Sequence, residues 1–315
     1  MRWTSRVKFL FLAPAVVWVL TFTIFPLVYS LYISFYNIES KMQVKQERVP
    51  VVDAAGKPVL DESGQPRTKI QINRQNVTTY KFNGVVSYVR MFHDGQVASA
   101  VWVTFVFVIV AVPSEIVLGI LLAVLFNRNL PFRGILRTVM ILPIFATPIA
   151  VGYLFFTIFY EAGGPLGFLG IPFLSNPHWA LFSITLVDIW QWTPFCFLVS
   201  LAALQGVPDE LIENALLDTR SRSQIFWQVV LPYLQPTIII VLLLRLAESL
   251  KLFDVPFALT GGGPGVATQN LSFLTFRTGL RYFDVGYASA MAYGLLIFVM
   301  IIITLFFRRL RETYA

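Results

Sequence analysis

Four ionisable side chains recur at every third position near the end of a long apolar run. Arg245, Glu248, Lys251 and Asp254 would form a slowly drifting stripe along one helix, because residues three apart are neighbours on a helix surface. Charges within a membrane span are costly unless they pair or meet water. The stripe therefore predicts either self-neutralising pairs between packed helices or a water-lined path.

A second cluster combines aromatic and polar side chains near the middle of another apolar run. Residues 188–195 read DIWQWTPF. Aromatic faces complement the C–H faces of sugar rings and amides bind hydroxyls, whereas a site that faces only lipid needs neither. The alternative is an aromatic belt with a proline kink, but belts lie at the ends of spans. The cluster favours a binding site for a hydroxylated solute.

Other reactive residue types do not form a catalytic pattern in this sequence. The glycines at 261–263 are followed by Pro-Gly, whereas a P-loop requires Lys and then Ser or Thr. His93 and His178 are isolated, and no nucleophile, base and acid occur together. Cys196 is the single cysteine and lies in an apolar run, where a small buried side chain is expected. We expect no catalysis, no metal site and no cofactor bound by this chain.

The elements that position these residues are membrane spans. Of the 315 residues, 57% are hydrophobic and only 13% are charged, unlike a soluble domain. Six apolar runs are long enough to cross a bilayer, and they lie at about residues 9–36, 97–126, 138–160, 179–204, 233–259 and 285–307. The first is too long for a signal-peptide core. The predicted fold is an all-α polytopic membrane protein with six transmembrane helices.

Charged residues near the spans predict the orientation of the chain. Eleven basic residues fall on one side of the membrane: Arg2, Arg6, Lys8, Arg128, Arg133, Arg137, Arg220, Arg222, Arg308, Arg309 and Arg311. The short loops on the other side hold only Arg277 and Arg281. Both termini are therefore expected in the cytoplasm. The net charge of +7 needs no nucleic-acid partner. Glu115 is a lone acid within the second run and needs a partner or water.

One long loop between spans has the composition of a soluble insertion. Residues 37–96 follow the first run and contain two turn sequences, DAAGKP at 53–58 and DESGQP at 61–66. Strand-like flanks at 51–52, 59–60 and 69–72 favour a small antiparallel ribbon, with a disordered loop as the alternative. A partner-facing role outside the cell is a hypothesis for this insertion.

A polar interval at 208–236 separates the fourth and fifth runs. A proline and acidic residues open it, which predicts a short helix with an apolar stripe centred on Ala215. Ser221 or Ser223 can cap a second short helix, which Pro232 would end. The prediction is a helical hairpin outside the bilayer, with an interfacial surface loop as the alternative.

The residues of this interval that carry a family resemblance are Glu213, Ala215, Asp218, Leu231 and Pro232. They resemble the EAA loop of the membrane subunits of ABC importers. In that family the loop inserts a coupling helix into a cleft of the cytoplasmic ATPase, so the resemblance implies that these five residues couple to an ATPase. Asn214 replaces the middle Ala. Thr219 replaces a Gly, which would suit a turn of positive φ.

Three later stretches place the resemblance within the carbohydrate-uptake branch. They read SLKLFD at 249–254, LTGGGP at 259–264 and FDVGYASA at 283–290, and they are similar to the maltose-transporter permease. In that permease the sugar lies between the fourth and fifth core spans. The resemblance implies a substrate path here at Gln191, Trp192, Phe195, Arg245, Glu248, Ser249 and Leu252. Residue types differ at nearly all of them, so location carries over better than specificity.

The resemblance implies a type I ABC importer transmembrane domain in the bacterial inner membrane. It covers residues 1–315 as one permease domain, with the insertion at 37–96 and a cytoplasmic coupling loop at 205–232. The implied cargo is a sugar, oligosaccharide or polyol. The implied partners are an external solute-binding protein, a second homologous permease in a heterodimer, and two ATPase subunits that carry ATP and Mg, besides membrane lipid.

Two alternatives to this interpretation remain at the level of sequence. The charged stripe at 245–254 is also compatible with an ion-coupled secondary transporter. A membrane scaffold whose hairpin only recruits a partner is the third. The solute is also open, since Arg245 can favour an anionic sugar or be neutralised by Glu248.

Overall fold

The computed structural model describes residues 5–50, 68–128, 131–219 and 221–314. The two turn sequences at 53–58 and 61–66 lie outside these ranges, as do Arg2 and Arg220 of the orientation pattern.

The described chain is mostly helical, with one two-stranded sheet. Its α-helices are α1 (Ser5–Val19), α2 (Phe25–Ser34), α3 (Val86–His93), α4 (Gly95–Phe126), α5 (Arg133–Phe145), α6 (Pro148–Phe159), α7 (Pro177–Gln205), α8 (Asp209–Asp218), α9 (Arg222–Ile225), α10 (Leu231–Ser249), α11 (Asp254–Leu259), α12 (Leu271–Phe276) and α13 (Val285–Tyr314). The strands are β1 (Tyr36–Pro50) and β2 (Thr68–Phe82). Short π-helical turns join α1 to α2 at Leu20–Ile24 and α9 to α10 at Phe226–Val230.

Within the described ranges, five helical segments are long and apolar enough to cross a membrane: Phe11–Ser34, Gly95–Phe126, Pro177–Gln205, Arg222–Ser249 and Val285–Arg308. The bent pair α5 and α6 supplies a sixth if it is counted as one span. The predicted class, an all-α polytopic membrane protein, is confirmed.

The third span is broken, although the sequence predicted one continuous helix at 138–160. α5 and α6 meet at an angle of 100°. Ala146 and Thr147 are extended at the junction, with ψ angles of 137° and 136°. A residue that precedes proline is driven out of the helical region, and Pro148 then opens α6 as its first residue. The predicted single helix was wrong because this local effect interrupts it.

The fifth span ends earlier than the predicted boundary at residue 259. α10 stops at Ser249, and the short α11 starts only at Asp254. The side-chain amide of Asn270 donates to the carbonyl oxygen of Leu252 at 2.5 Å, which satisfies a backbone group that the helix no longer pairs. Lys251 therefore lies in the break rather than on α10, and the predicted charged stripe is not one helical face.

The start of the fifth span also corrects the sequence prediction. The second arm of the hairpin was expected to end at Pro232. Instead α9 continues through the π-helical turn into α10, so Arg222–Ser249 is one long segment. Pro232 lies two residues after the π-helical turn, and such local π-helical adjustments accommodate a proline within a membrane-spanning helix.

One compact unit comprises the described residues up to 89 together with 278–290. In it β1 and β2 form an antiparallel ribbon, in register from Tyr36 opposite Phe82 to Pro50 opposite Thr68. An antiparallel ribbon is therefore present, and the predicted flank at 69–72 lies in β2. The predicted flanks at 51–52 and 59–60 lie outside the described residues. Ser34 and Tyr88 join their hydroxyls at 2.7 Å near its base.

The second unit comprises residues 90–277 and 291–315, and it contains the candidate site. α4 packs along α7 so closely that a Cβ on Gly119 would lie 2.5 Å from the Cβ of Cys196. Cys196 is fully buried, as predicted. Gly152 of α6 similarly lies against Ala258 of α11. Close helix contacts at glycine hold α4 against α7 and α6 against α11.

Candidate functional site

Three charged side chains from three helices meet inside the second unit. Arg245 of α10 donates from Nε to Glu115 of α4 at 2.6 Å and from Nη2 to the other Glu115 oxygen at 2.9 Å. Its Nη2 also donates to Asp188 of α7 at 2.9 Å. Arg245, Glu115 and Asp188 are only 2%, 0% and 1% exposed. We call these three residues the buried triad.

The triad has the geometry that burial of charge requires. A buried ion is tolerated when it is paired and hydrogen-bonded, and a two-point contact between guanidinium and carboxylate is the strongest such arrangement. Ser249 adds its hydroxyl as a further acceptor, 3.2 Å from Nη2. The guanidinium carbon lies 4.5 Å from the ring centre of Trp192, close enough for a cation–π contact. Trp192 is therefore held in place by Arg245.

A pocket of about 210 Å³ opens beside the triad. Five residues of the predicted substrate path line it: Trp192, Arg245, Glu248, Ser249 and Leu252. The other lining residues are Pro148, Asp188, Lys251, Phe253 and Asp254. Both interrupted spans thus reach the pocket, since Pro148 begins α6 and Leu252 lies between α10 and α11. Irregular backbone at membrane depth is tolerated where it is buried or lines a watery cavity.

Two residues of the predicted path do not line this pocket. Gln191 is buried, and its amide nitrogen donates to the carbonyl of Ala146 at 3.0 Å. Because Ala146 follows the last residue of α5, Gln191 supports the break in the third span. Phe195 packs edge-on against Trp192, with ring centres 6.5 Å apart. These two residues support the pocket rather than form its surface.

The pairing of Arg245 settles a question that the sequence left open. Glu248 does not neutralise Arg245 but pairs with Lys251 at 3.0 Å, and these two side chains are 53% and 57% exposed. The partner that Glu115 needed is Arg245. Glu115 was visible as a lone acid in an apolar run, and Asp188 was visible only as the first residue of the aromatic cluster at 188–195. Their partner was not, because it lies 130 and 57 residues away along the chain.

Among the residues that the structure describes, no group of three or more His, Cys, Asp or Glu side chains is arranged to hold a metal ion. The two acids of the triad bind Arg245. The other two acids near it, Glu248 and Asp254, line the pocket.

The predicted coupling residues lie on and after α8. Glu213 and Asp218 are exposed, whereas Ala215 is half-buried against the apolar cluster around Leu234. Leu231 and Pro232 start α10, the former half-buried and the latter exposed. α8 therefore rests on the bundle by its small residue and presents its acids outward.

The turn after α8 tolerates the threonine that departs from the EAA pattern. Thr219 is extended, with φ −150° and ψ 144°, so this turn requires no positive φ. Its hydroxyl donates to the Gln224 side chain at 2.9 Å and accepts from the backbone N–H of Ser221 at 3.2 Å. Ser221 then caps α9 by accepting from the backbone N–H of Gln224. The side chain of Thr219 stabilises the turn that Gly would only permit.

A hydrogen bond ties the two ends of this segment together. The Tyr233 hydroxyl donates to the carbonyl of Gly206 at 3.0 Å. Gly206 caps the end of α7, and Tyr233 lies in the first turn of α10. The segment between them is thus anchored at both ends to membrane-spanning helices.

The loop between α6 and α7 is organised by one acid. Glu161 accepts from the Ser175 hydroxyl at 2.8 Å and from the backbone N–H groups of Ser175 and Leu174 at 2.9 and 3.0 Å. These hydrogen bonds, that of the Ser175 hydroxyl first, hold the pKa of Glu161 below its usual value. The ionised carboxylate is therefore part of the loop's structure.

Comparison with known proteins identifies the family. Residues 115–312 match the binding-protein-dependent transport system inner membrane component. This chain belongs to that family. The matched region contains the buried triad, the pocket and α8. The predicted recognition as an ABC importer permease, an inner-membrane component, is thereby confirmed.

Several permeases resemble this family member over most of their length. The probable ABC transporter permease y4oQ of Sinorhizobium fredii is 37% identical over 70% of this chain and 74% of that protein. The trehalose/maltose permease MalF of Thermococcus litoralis is 34% identical over 70% and 76%. The sulfoquinovosyl glycerol permease SmoG of Agrobacterium fabrum is 32% identical over 73% and 77%.

Solved structures show the same fold at lower identity. A chain of a bacterial ABC transporter that imports the acidic polysaccharide alginate aligns with a TM-score of 0.73 and 21% identity, covering 97% of this chain and 95% of that one. A chain of the MetNI methionine ABC transporter aligns with a TM-score of 0.51 and 18% identity over 69% and 95%. The fold is that of ABC importer transmembrane domains.

Proposed function

We propose that this permease translocates a sugar, oligosaccharide or polyol that an external solute-binding protein delivers. The observation that carries the proposal is the pocket beside Trp192, which combines an aromatic side chain with hydroxyl, carboxylate and ammonium groups inside the bundle. Such a combination fits a ring with apolar C–H faces and polar edges. Relatives named for trehalose/maltose and for multiple sugars support the same class of cargo.

In this proposal, transport through the pocket requires a conformational change that other subunits drive. ATP and Mg belong to two separate ATPase subunits in this proposal, and a second, similar permease completes the pathway. Closure of the ATPase dimer moves α8, and the anchoring of its segment through Tyr233 and Ala215 transmits the motion to α7 and α10. ATP shifts the barrier because it binds the two states of the transporter with different affinity.

The orientation of the chain follows from the same proposal. α8 and both termini face the cytoplasm, where the ATPases are, and the ribbon of β1 and β2 lies outside. The basic residues at the inner ends of the spans support this orientation.

Co-purification tests the proposal against the two alternatives. The tagged permease, purified from its native membrane, is expected to retain an untagged ATPase. The ATP hydrolysis of this ATPase should rise when the binding protein and a panel of sugars and polyols are added. A scaffold would retain partners without solute-stimulated hydrolysis. Solute uptake by this chain alone in a proton or sodium gradient would overturn the proposal in favour of a secondary transporter.

A further inference from the structure

We infer that the pocket beside the buried triad selects uncharged polyhydroxyl solutes over anionic ones, and that Glu115 is the positioning residue responsible. The inference rests on the proposed function, because it takes this pocket as part of the solute path. Glu115 belongs to no predicted site and does not line the pocket; it reaches the pocket only through Arg245.

The first step of the argument is the charge balance of the triad. One guanidinium faces two carboxylates, at 2.6 and 2.9 Å. The contact with Glu115 uses Nε and Nη2, and Nη2 also serves Asp188 and Ser249. Arg245 borders the pocket, but its charge is compensated from within the protein.

The second step concerns the other charges of the pocket. Lys251 is paired with Glu248 at 3.0 Å, and Asp254 adds a further carboxylate to the lining. In the part of the chain that the structure describes, each cation of the pocket therefore has a carboxylate partner. An anionic solute that enters the pocket would lose its hydration next to these carboxylates. It would find no cation that is not already paired with a carboxylate, so its binding is unfavourable. A hydroxyl can donate to the carboxylates and accept from the cations.

The third step is the geometry that Glu115 imposes. Its two-point contact fixes the plane of the guanidinium, and the guanidinium carbon lies 4.5 Å from the centre of the Trp192 ring. Rotation of Arg245 toward a solute carboxylate would break both contacts and leave Glu115 buried and unpaired. Glu115 therefore fixes the orientation of Arg245 at the pocket wall and, through Arg245, supports the position of the Trp192 ring.

The test measures binding to the complete transporter in nanodiscs without the external binding protein, so that only the membrane site selects. The probes are three matched pairs: glucose and glucuronate, maltose and maltobionate, sorbitol and gluconate. For each pair of which at least one member binds, we expect the neutral member to have an affinity at least about tenfold higher than the acidic member. Burial of an unpaired charge costs at least this much. Equal or tighter binding of the acidic members would overturn the inference.

The role of Glu115 is tested by the same ratio in Glu115→Gln, which keeps the shape of the side chain and removes its charge. The preference for neutral probes should fall by about threefold or more, whereas Glu161→Gln, the same change in the loop between α6 and α7, should leave it unchanged. An unchanged ratio in Glu115→Gln would refute the positioning role. If this variant does not assemble, Glu115→Asp keeps the charge but is one CH2 shorter, so it displaces the two-point contact with Arg245; it should also lower the ratio, and an unchanged ratio there would refute the positioning role.

Failure of the inference is distinguishable from failure of the proposed function. If no sugar or polyol binds the complex and none stimulates its ATP hydrolysis, the proposed function fails. If solutes bind and stimulate hydrolysis but the acidic members are preferred, only the inferred selectivity fails.

Discussion

The buried triad and α8, for which we propose a coupling role, use charged side chains in opposite ways. In the triad, Glu115, Asp188 and Arg245 are enclosed and satisfy one another within 2.9 Å. On α8, Glu213 and Asp218 are exposed to solvent. The charges of the triad are paired within this chain, whereas the function proposed for α8 requires a partner. Substitutions in the first region should therefore damage folding, and those in the second should damage communication.

The largest expected effect is that of Arg245→Met. It leaves two buried carboxylates without their cation, which should cost about 3–5 kcal/mol and lower the melting temperature of the purified complex. Thermal unfolding in detergent measures it. Lys251→Met is the matched control, because an exposed ion pair contributes only about 0–1 kcal/mol. An unchanged melting temperature for Arg245→Met would show that the triad is not a structural element.

Glu213→Lys should separate the two regions most clearly. We expect ATP hydrolysis to continue while solute uptake per ATP falls about tenfold, equivalent to about 1.4 kcal/mol of coupling, with assembly and melting temperature unchanged. The ratio of uptake to hydrolysis in liposomes measures it.

Asp209→Lys is the control for this variant, because it reverses the same charge at the first residue of α8, where the helix dipole opposes a cation more strongly. It should retain coupling. Equal loss in both variants would point to fraying of α8 instead of a lost contact with the ATPase.

Thr219→Gly restores the residue that the EAA pattern favours, yet it should weaken this segment. Thr219 is extended and hydrogen-bonded, so Gly removes the contacts and adds backbone freedom, at a cost of about 0.5–1 kcal/mol. Faster amide exchange in residues 209–225 would show this. Thr219→Val keeps the branched side chain without the hydroxyl. Its amide exchange rate should lie between those of the unaltered protein and of Thr219→Gly. Slower exchange in the glycine variant would contradict the account of this turn.

The smallest expected effect is the pH dependence of the loop between α6 and α7. Because the pKa of Glu161 is lowered in the folded loop, its stabilisation is fully present above the ordinary Glu pKa of about 4.3 and is lost as the pH falls through the lowered value. Amide protection at Leu174 and Ser175 should decrease over that range. Glu161→Gln should abolish the pH dependence, and its persistence there would assign it to another group.

Sequence reasoning predicted the spans and the short helix α8 better than the breaks and pairings. Long apolar runs and the signature from Glu213 to Pro232 are local features, so they can be recognised from a single sequence. The break after α5 depends on Thr147 preceding Pro148, and the break after α10 on Asn270 reaching Leu252. The contact of Asn270 with Leu252 and the pairing of Glu115 with Arg245 both join residues far apart in the chain. Periodicity suggested a helical stripe through Asp254 because no local signal marks the end of α10.

The most direct test of the central claim, that α8 contacts a cytoplasmic ATPase, uses Leu217, whose side chain is 85% exposed. Cys196 is buried, so Leu217→Cys supplies an accessible thiol with little background. We predict that a short bifunctional reagent cross-links Cys at this position to the ATPase subunit in inside-out vesicles, and that ATP changes the yield. Labelling of this thiol by an impermeant reagent from the outer face, without any cross-link to the ATPase, would contradict the account.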